Sequence, residues 1–322
     1  MRSGAAVQRG VVLLAIAGLV CGCVTINLLP MPGPLEEKQL SGSGSGKVLV
    51  IELSGLISSE EPELFLERPS VVAQIIEELS RAAEDSDVKA IVLRINSPGG
   101  TVTASDILHH ELKAFKAKRN IPIVAWIMDV GASGGYYVAV AGDKIVAHPA
   151  SVTGSLGVIM LTINAEGLLQ KIGIQATAVT SGPKKDMGSP FRAMTEEERA
   201  IFQEVVSSFY ERFLTVVDEG RPNLSGDQVR TLADGRIYTG EQAMALGLVD
   251  SLGYLEDAIE LAKQEAGLSE ARVVTYRRPG EYHQNIYSRV IGGGTIWTGL
   301  PNLDLLALVR GRTPKFMYLW MP

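Results

Sequence analysis

Cysteine is nearly absent from this 322-residue chain: Cys21 and Cys23 are the only two, both close to the start. No disulfide framework can therefore hold the rest together. Histidine is scarce as well, with His109, His110, His148 and His283, and no Cys/His cluster has metal-ligand spacing. There is no basic excess. The 30 Lys+Arg face 36 Asp+Glu, a net charge of −6, which excludes a generic nucleic-acid binder because no surplus is left to neutralise phosphates. Charged residues are only 20% and hydrophobic residues 46%, which excludes a disordered chain. The length admits one large domain or two modest ones.

What is present begins with an address. Arg2 and Arg9 precede an apolar run, Val11 to Val20, shorter than the roughly 20 residues that span a bilayer as a helix. A basic start and a short apolar run read as a secretory signal. Val20-Cys21-Gly22-Cys23 resembles a bacterial lipobox. On that reading residues 1–22 are a lipoprotein signal peptide and Cys23 is the lipidated mature terminus. An uncleaved short anchor is the alternative, and either tethers the body to a membrane outside the cytoplasm. Residues 23–46 read as a tether, stiffened by Pro30, Pro32 and Pro34 and loosened by the alternating Ser-Gly run from Ser41 to Gly46. The folded body is expected over 47–278. Residues 279–322 form an apolar tail ending in Phe316-Met317-Tyr318-Leu319-Trp320-Met321. Such an end is seldom left in water, so it packs on its own body or on a neighbouring subunit.

The body alternates strand and helix patterns. Strands are predicted at Lys47–Leu53, Val88–Ile95, Ile121–Met128, Lys144–Ala147, Gly157–Leu161, Ile174–Val179 and Arg272–Tyr276. Helices are predicted at Val71–Glu84, Ser105–Lys118, Gly134–Ala141, Ala165–Lys171, Thr195 to about Glu219, and Leu255–Glu265. Thr195 and Glu198 have the spacing of a capping box. Alternation of this kind means α/β layers with parallel strands and crossover helices.

Three glycine-rich turns carry the chemistry. Asn96-Ser97-Pro98-Gly99-Gly100 follows a strand and leaves backbone N–H groups unshielded, fit either for an oxyanion or for an ordinary tight turn. Gly131-Ala132-Ser133-Gly134-Gly135 sits between strand and helix and matches G-x-S-x-G, a weak signal alone because small residues also suit close packing. The third is Ser181-Gly182-Pro183-Lys184-Lys185-Asp186. A lysine acts as general base only where its ammonium is destabilised, by burial and by hydroxyls that bond the neutral amine. Thr153 and Ser155 are nearby hydroxyls of that type. The histidines offer a serine no informative partner: His109 and His110 read as solvated, His148 precedes a proline, and His283 is late in the chain.

Ser97-Pro98-Gly99-Gly100, Ala132-Ser133-Gly134-Gly135-Tyr136-Tyr137, Thr153-Gly154-Ser155-Leu156-Gly157-Val158 and Ser181-Gly182-Pro183-Lys184-Lys185-Asp186 occur in order over roughly residues 47–275. This ordered set resembles the signal peptide peptidase A (SppA, protease IV) family. The resemblance implies a ClpP/crotonase-like fold and a Ser-Lys peptidase needing no metal or cofactor. Ser133 matches the nucleophile, Lys185 the general base, Ser155 the serine that bonds the lysine, and Gly100 and Gly134 the oxyanion donors. Lys184 is an adjacent ambiguity that the Lys-Asp step resolves toward Lys185. ClpP-type enzymes place a histidine about 25 residues after the nucleophile, where this chain has Val158. Crotonases share the fold but bind coenzyme A, and the placed serine and lysine argue against that use.

The implied substrates are cleaved signal peptides and other unfolded apolar peptides. With one catalytic-size domain, Ser and Lys are expected to meet between neighbouring subunits of a homo-oligomeric ring. The lipobox departs from the membrane-spanning anchor common in the family. Two rivals stay open: an esterase using Ser133 and His283, and a non-catalytic membrane-tethered scaffold.

Overall fold

The computed structural model describes residues 33–60, 69–279 and 316–321. The signal segment with Cys23, the histidine His283 and most of the C-terminal tail lie outside the described residues.

The first strand, β1 (Glu36–Ser41), is followed by β2 (Lys47–Ser54), helix α1 (Val71–Glu84) and β3 (Val88–Ser97). A short β4 (Gly99–Thr101) leads into α2 (Val102–Arg119), then β5 (Ile123–Ala132), α3 (Gly134–Ala139) and β6 (Lys144–Ala147). β7 (Val152–Gly154), β8 (Ile159–Met160) and α4 (Glu166–Lys171) precede the long α5 (Glu196–Gly220). α6 (Gly226–Leu232), β9 (Ile237–Thr239), α7 (Gly240–Ala245), β10 (Ser251–Leu252), α8 (Leu255–Glu265), β11 (Arg272–Arg277) and β12 (Phe316–Leu319) complete the chain.

The main sheet runs β1-β11-β2-β3-β5-β6-β10, with β7 and β9 branching from the far end of β5. Its centre is parallel: Leu93 of β3 lies opposite Ile51 of β2 and Ala125 of β5. Strands buried on both faces read as continuous apolar runs, which is why these were the most legible. Alternate residues serve opposite layers. Leu49, Ile51, Leu53, Ile91, Leu93, Ile95, Ile123 and Ile127 face a core closed by α1, α2 and α3. Val48, Val50, Ala90, Val92, Val124 and Trp126 face α8, which contributes Leu255, Ala258, Ile259 and Ala262. These are the α/β layers expected for a ClpP/crotonase-like fold. Among the described residues no helix is long and apolar enough to cross a membrane.

Two expectations differ. Residues 36–41, read as tether, form an edge strand antiparallel to β11, with Glu36 opposite Arg277. Leu35 is buried, and Glu37 and Asp85 both bind Lys47, at 2.8 and 2.7 Å. The Ser-Gly run is the connection that passes over the end of β11. A Cβ on Gly42 (φ +73°) would fall 2.2 Å from the Ala271 carbonyl oxygen. Second, Ile174–Val179 is not a strand; among the described residues no strand pairs with it, and Val179 is 99% exposed. The end of the tail is β12, which joins β4 and β8 in a separate three-stranded sheet, so residues 316–319 pack on the chain's own body, one of the two expected alternatives.

Candidate active site

β5 runs from the core to the site. Its last residues pair with β7 in parallel, Gly131 opposite Thr153 and Ala132 opposite Gly154. Thr153 clamps this junction: its buried hydroxyl donates to the Gly131 carbonyl at 2.7 Å. That hydroxyl is therefore committed to the scaffold. The chain then turns sharply at Ser133, whose φ of 52° and ψ of −116° are seldom adopted by a residue with a side chain. The Ser133 N–H donates to the Gly154 carbonyl at 2.7 Å, and the Tyr137 N–H closes the first turn of α3 onto the Ser133 carbonyl at 2.9 Å. The strained turn is thus held on both sides. Its hydroxyl oxygen is buried and has no hydrogen-bond partner. A serine kept for structure would bond that oxygen, since leaving a buried hydroxyl unsatisfied costs about 1–3 kcal/mol.

The Pro-Gly-Gly turn meets the serine turn edge to edge. Ser97 Oγ donates to the Gly55 carbonyl at 2.6 Å and accepts from the Gly99 N–H at 3.1 Å. Ile57 brackets the turn, its N–H donating to the Gly99 carbonyl and its carbonyl accepting from Thr101, at 2.9 and 3.0 Å. A Cβ on Gly99 (φ +100°) would lie 2.6 Å from the Gly134 nitrogen, and one on Gly134 would lie 3.1 Å from the Gly100 nitrogen. Only glycine lets the two backbones converge so closely. Gly134, the residue after Ser133, and Gly100 are therefore brought together, backbone against backbone.

Ser155 lies one residue past the Gly154 carbonyl that holds Ser133, with φ of 49° and its N–H donating to the Arg236 carbonyl at 2.7 Å. It borders an open cleft of about 360 Å³ with Leu156, Ile159, Tyr210, Asp234 and Leu319. Lys185 is not brought to Ser133 within the chain; it sits exposed in the turn after residue 180. That turn is anchored to α5. Arg192 donates to both Asp186 carboxylate oxygens at 2.8 Å and to Glu198 at 2.9 Å. Arg192, then the Thr195 backbone N–H, pulls the Glu198 carboxyl down to about 2, and Arg192 holds Asp186 below the usual carboxylate range. Lys184 is ion-paired with Glu197. Among the described residues no group of His, Cys, Asp and Glu is arranged to hold a metal ion.

Behind Ser133, α3 is buried throughout. Tyr136 donates to the Leu248 carbonyl at 2.6 Å, and Tyr137 donates to Asp106 at 2.5 Å. His109, expected to be solvated, is 8% exposed and packs edge-to-face on Tyr137 at 5.4 Å. Charges on either side in sequence hid an inward-facing position of α2. Burial, and then Lys113, lowers its pKa to about 4, against a weaker opposing pull from Asp106. Unfolded, the group takes its proton near pH 6.5. Its contribution to stability is therefore complete above about 6.5 and lost as pH falls toward 4, a penalty of up to about 3 kcal/mol. His109→Phe should flatten urea-midpoint against pH in that window; parallel curves for variant and parent would refute this.

Residues 115–269 match Peptidase family S49. That span holds Ser133, Ser155 and Lys185, with Gly100 before it. A putative signal peptide peptidase SppA from Enterococcus faecium is 40% identical over 243 residues, covering 75% of this chain and 70% of the relative. A putative protease from Synechocystis is 39% identical over 227 residues, 70% of this chain and 77% of the relative. Among solved structures, a membrane-bound stomatin-specific protease in complex with a substrate peptide overlays with a TM-score of 0.45 at 16% identity, over 68% of this chain and 80% of that one. The sequence likeness at this identity and coverage agrees with the ordered serine and glycine motifs: the chain belongs to peptidase family S49 and is a serine protease.

Proposed function

We propose that the chain is a membrane-tethered endopeptidase that cuts cleaved signal peptides and other unfolded apolar peptides with a Ser-Lys dyad. The observation that carries this reading is the Ser133 hydroxyl, buried and unpartnered at a strained turn whose next residue, Gly134, converges on the Gly100 backbone. Neutral Lys185 takes the Ser133 proton, and the oxygen attacks the peptide carbonyl. The two N–H groups hold the oxyanion; Lys185 then protonates the leaving amine, and water releases the acyl group. Ser155 hydrogen-bonds the lysine and keeps it aimed.

Lys185 comes from a neighbouring subunit of a homo-oligomeric ring. Its segment supports this: Ile163, Leu168, Ile172, Ile174, Val179 and Phe191 are 41–99% exposed. Large apolar side chains in such density on one segment mark a surface covered by a partner. A lipid on Cys23 supplies the tether, and the body faces the extracytoplasmic side.

The test mixes two inactive chains. Ser133→Ala and Lys185→Ala proteins, co-refolded into mixed assemblies, should regain a measurable fraction of peptide hydrolysis. No recovery in assemblies shown to contain both chains would rule out a site shared between subunits.

A further inference from the structure

The turn that carries Lys185 belongs to neither sheet. Its backbone bonds are local: the Lys185 N–H donates to the Gly182 carbonyl at 3.1 Å, Met187 to Lys184 at 3.3 Å, and Ser189 to Asp186 at 3.1 Å. Among the described residues, one backbone bond leaves the stretch 181–190, from the Ala165 N–H to the Pro190 carbonyl at 2.7 Å. A general base must hold its amine within hydrogen-bond reach of the proton it takes. A flexible four-carbon stem on a turn so lightly tied does not achieve this unaided.

Arg192 supplies the tie. Its Nε and Nη2 form a fork on the two carboxylate oxygens of Asp186, the residue after Lys185, both at 2.8 Å. Its Nη1 and Nη2 form a second fork on Glu198, at 2.9 and 2.5 Å. Nη1 also donates to the Ala193 carbonyl at 3.0 Å, so every N–H of the guanidinium has an acceptor. Glu198 is 2% exposed and sits in the first turn of α5, where it also accepts from the Thr195 N–H at 2.9 Å. The other end of α5 is packed in the core through Phe213, Leu214, Val216 and Val217. One arginine thus joins the neighbour of the base to a helix rooted in the core. Arg199, on the same helix, is unlike it: its Nε lies 3.8 Å from the exposed Glu196, an (i, i+3) pair within α5.

We infer that Arg192 is a positioning residue for the general base: its double fork on Asp186 and Glu198 fixes the Lys185 turn to α5, and so sets where the amine arrives at the serine. This rests on Lys185 being the base. A two-pronged fork fixes angle as well as distance, which a single ion pair does not. The pair of Lys184 and Glu197 is of the single kind, and the Glu197 side chain is 72% exposed. A lysine in place of Arg192 is a point charge and cannot form both forks. The effect of losing the clamp falls on the chemical step, because Arg192 holds the base and not the peptide.

The test follows hydrolysis of one apolar peptide by full-length protein. Arg192→Ala should lower kcat by about 100-fold and leave KM within about threefold, the pattern of a misplaced catalytic group. Asp186→Asn, which keeps the size of the side chain and leaves Glu198 paired, should lower kcat by about tenfold. Arg199→Ala should match the parent. Guanidinium chloride at millimolar concentration should raise kcat of Arg192→Ala by about fivefold or more and leave the parent unchanged, because the free ion refills the slot between the two carboxylates. In a Lys185→Ala background, Arg192→Ala should cost nothing further, since the two residues act as one unit. Parental kcat in both Arg192→Ala and Asp186→Asn, beside an inactive Lys185→Ala, would overturn the clamp and leave the dyad standing. So would a loss in both variants that tracks dissociation of the assembly by light scattering. An active Lys185→Ala would instead overturn the dyad, and the clamp with it.

Discussion

The Ser133→Ala protein should melt at or slightly above the parent temperature while hydrolysing peptides at least about 10⁴-fold more slowly. The two halves of this result have separate causes. Loss of activity follows from removing the proposed nucleophile, on the turn whose Gly134 converges on Gly100. Retained stability follows from the state of that oxygen, which is buried and bonded to nothing. Deleting an unsatisfied buried hydroxyl removes a desolvation cost and no favourable contact. The backbone strain at φ 52° is unchanged, because alanine tolerates that conformation no better than serine. The turn is held by backbone bonds to Gly154 and Tyr137, which the substitution leaves intact. A scaffold role predicts the opposite pairing, with hydrolysis absent in both proteins and stability reduced. Thermal melting and initial rates on one peptide distinguish the two.

The parts of the molecule legible in the sequence are those where one physical signal dominates. β2, β3 and β5 are buried on both faces, so their apolar runs survive any error in register. Leu255–Glu265 falls where its amphipathic spacing puts it, and the capping box of Thr195 and Glu198 marks the start of α5, with the Glu198 carboxylate 2.9 Å from the Thr195 N–H. The serine turn is legible from its place in the ordered set of motifs rather than from its small residues, which also suit close packing. β1 is not legible: Glu36-Glu37-Lys38-Gln39-Leu40-Ser41 is polar because it is an edge strand, whose charges guard against further pairing. The run Ile174–Val179 misleads for the reverse reason. Its β-branched residues have strand propensity, but propensity forms no strand without a partner, and the described residues supply none. The aromatic cluster of Tyr137, Phe213 and Tyr318 joins residues far apart in sequence, whose meeting depends on β12 pairing with β4. No local pattern carries that information. His109 was hidden by its charged neighbours, which occupy the other faces of the same helix.

Lys185→Ala should lower peptide hydrolysis by about 10³-fold or more, whereas Lys184→Ala should stay within about tenfold of the parent. The two lysines are adjacent, yet their surroundings differ. Lys184 is paired with Glu197 in the first turn of α5. An ammonium held by a carboxylate is the wrong species to accept a proton. Lys185 points from a turn that Asp186 and Arg192 pin to the same helix, so it can project toward another subunit while its base stays fixed. Lys185→Arg should fail as completely as Lys185→Ala, because a guanidinium keeps its proton at any working pH. Only a neutral amine takes the serine proton, so parent activity should climb from neutral into mildly alkaline pH, with no comparable rise in the residual rate of Lys185→Ala. Melting should barely distinguish either lysine variant from the parent, since Lys185 is exposed and the Lys184–Glu197 pair is too exposed to contribute much. His283→Ala is the decisive companion. An active Lys185→Ala together with an inactive His283→Ala would move the base from lysine to histidine and make Ser133 the centre of an esterase-like site.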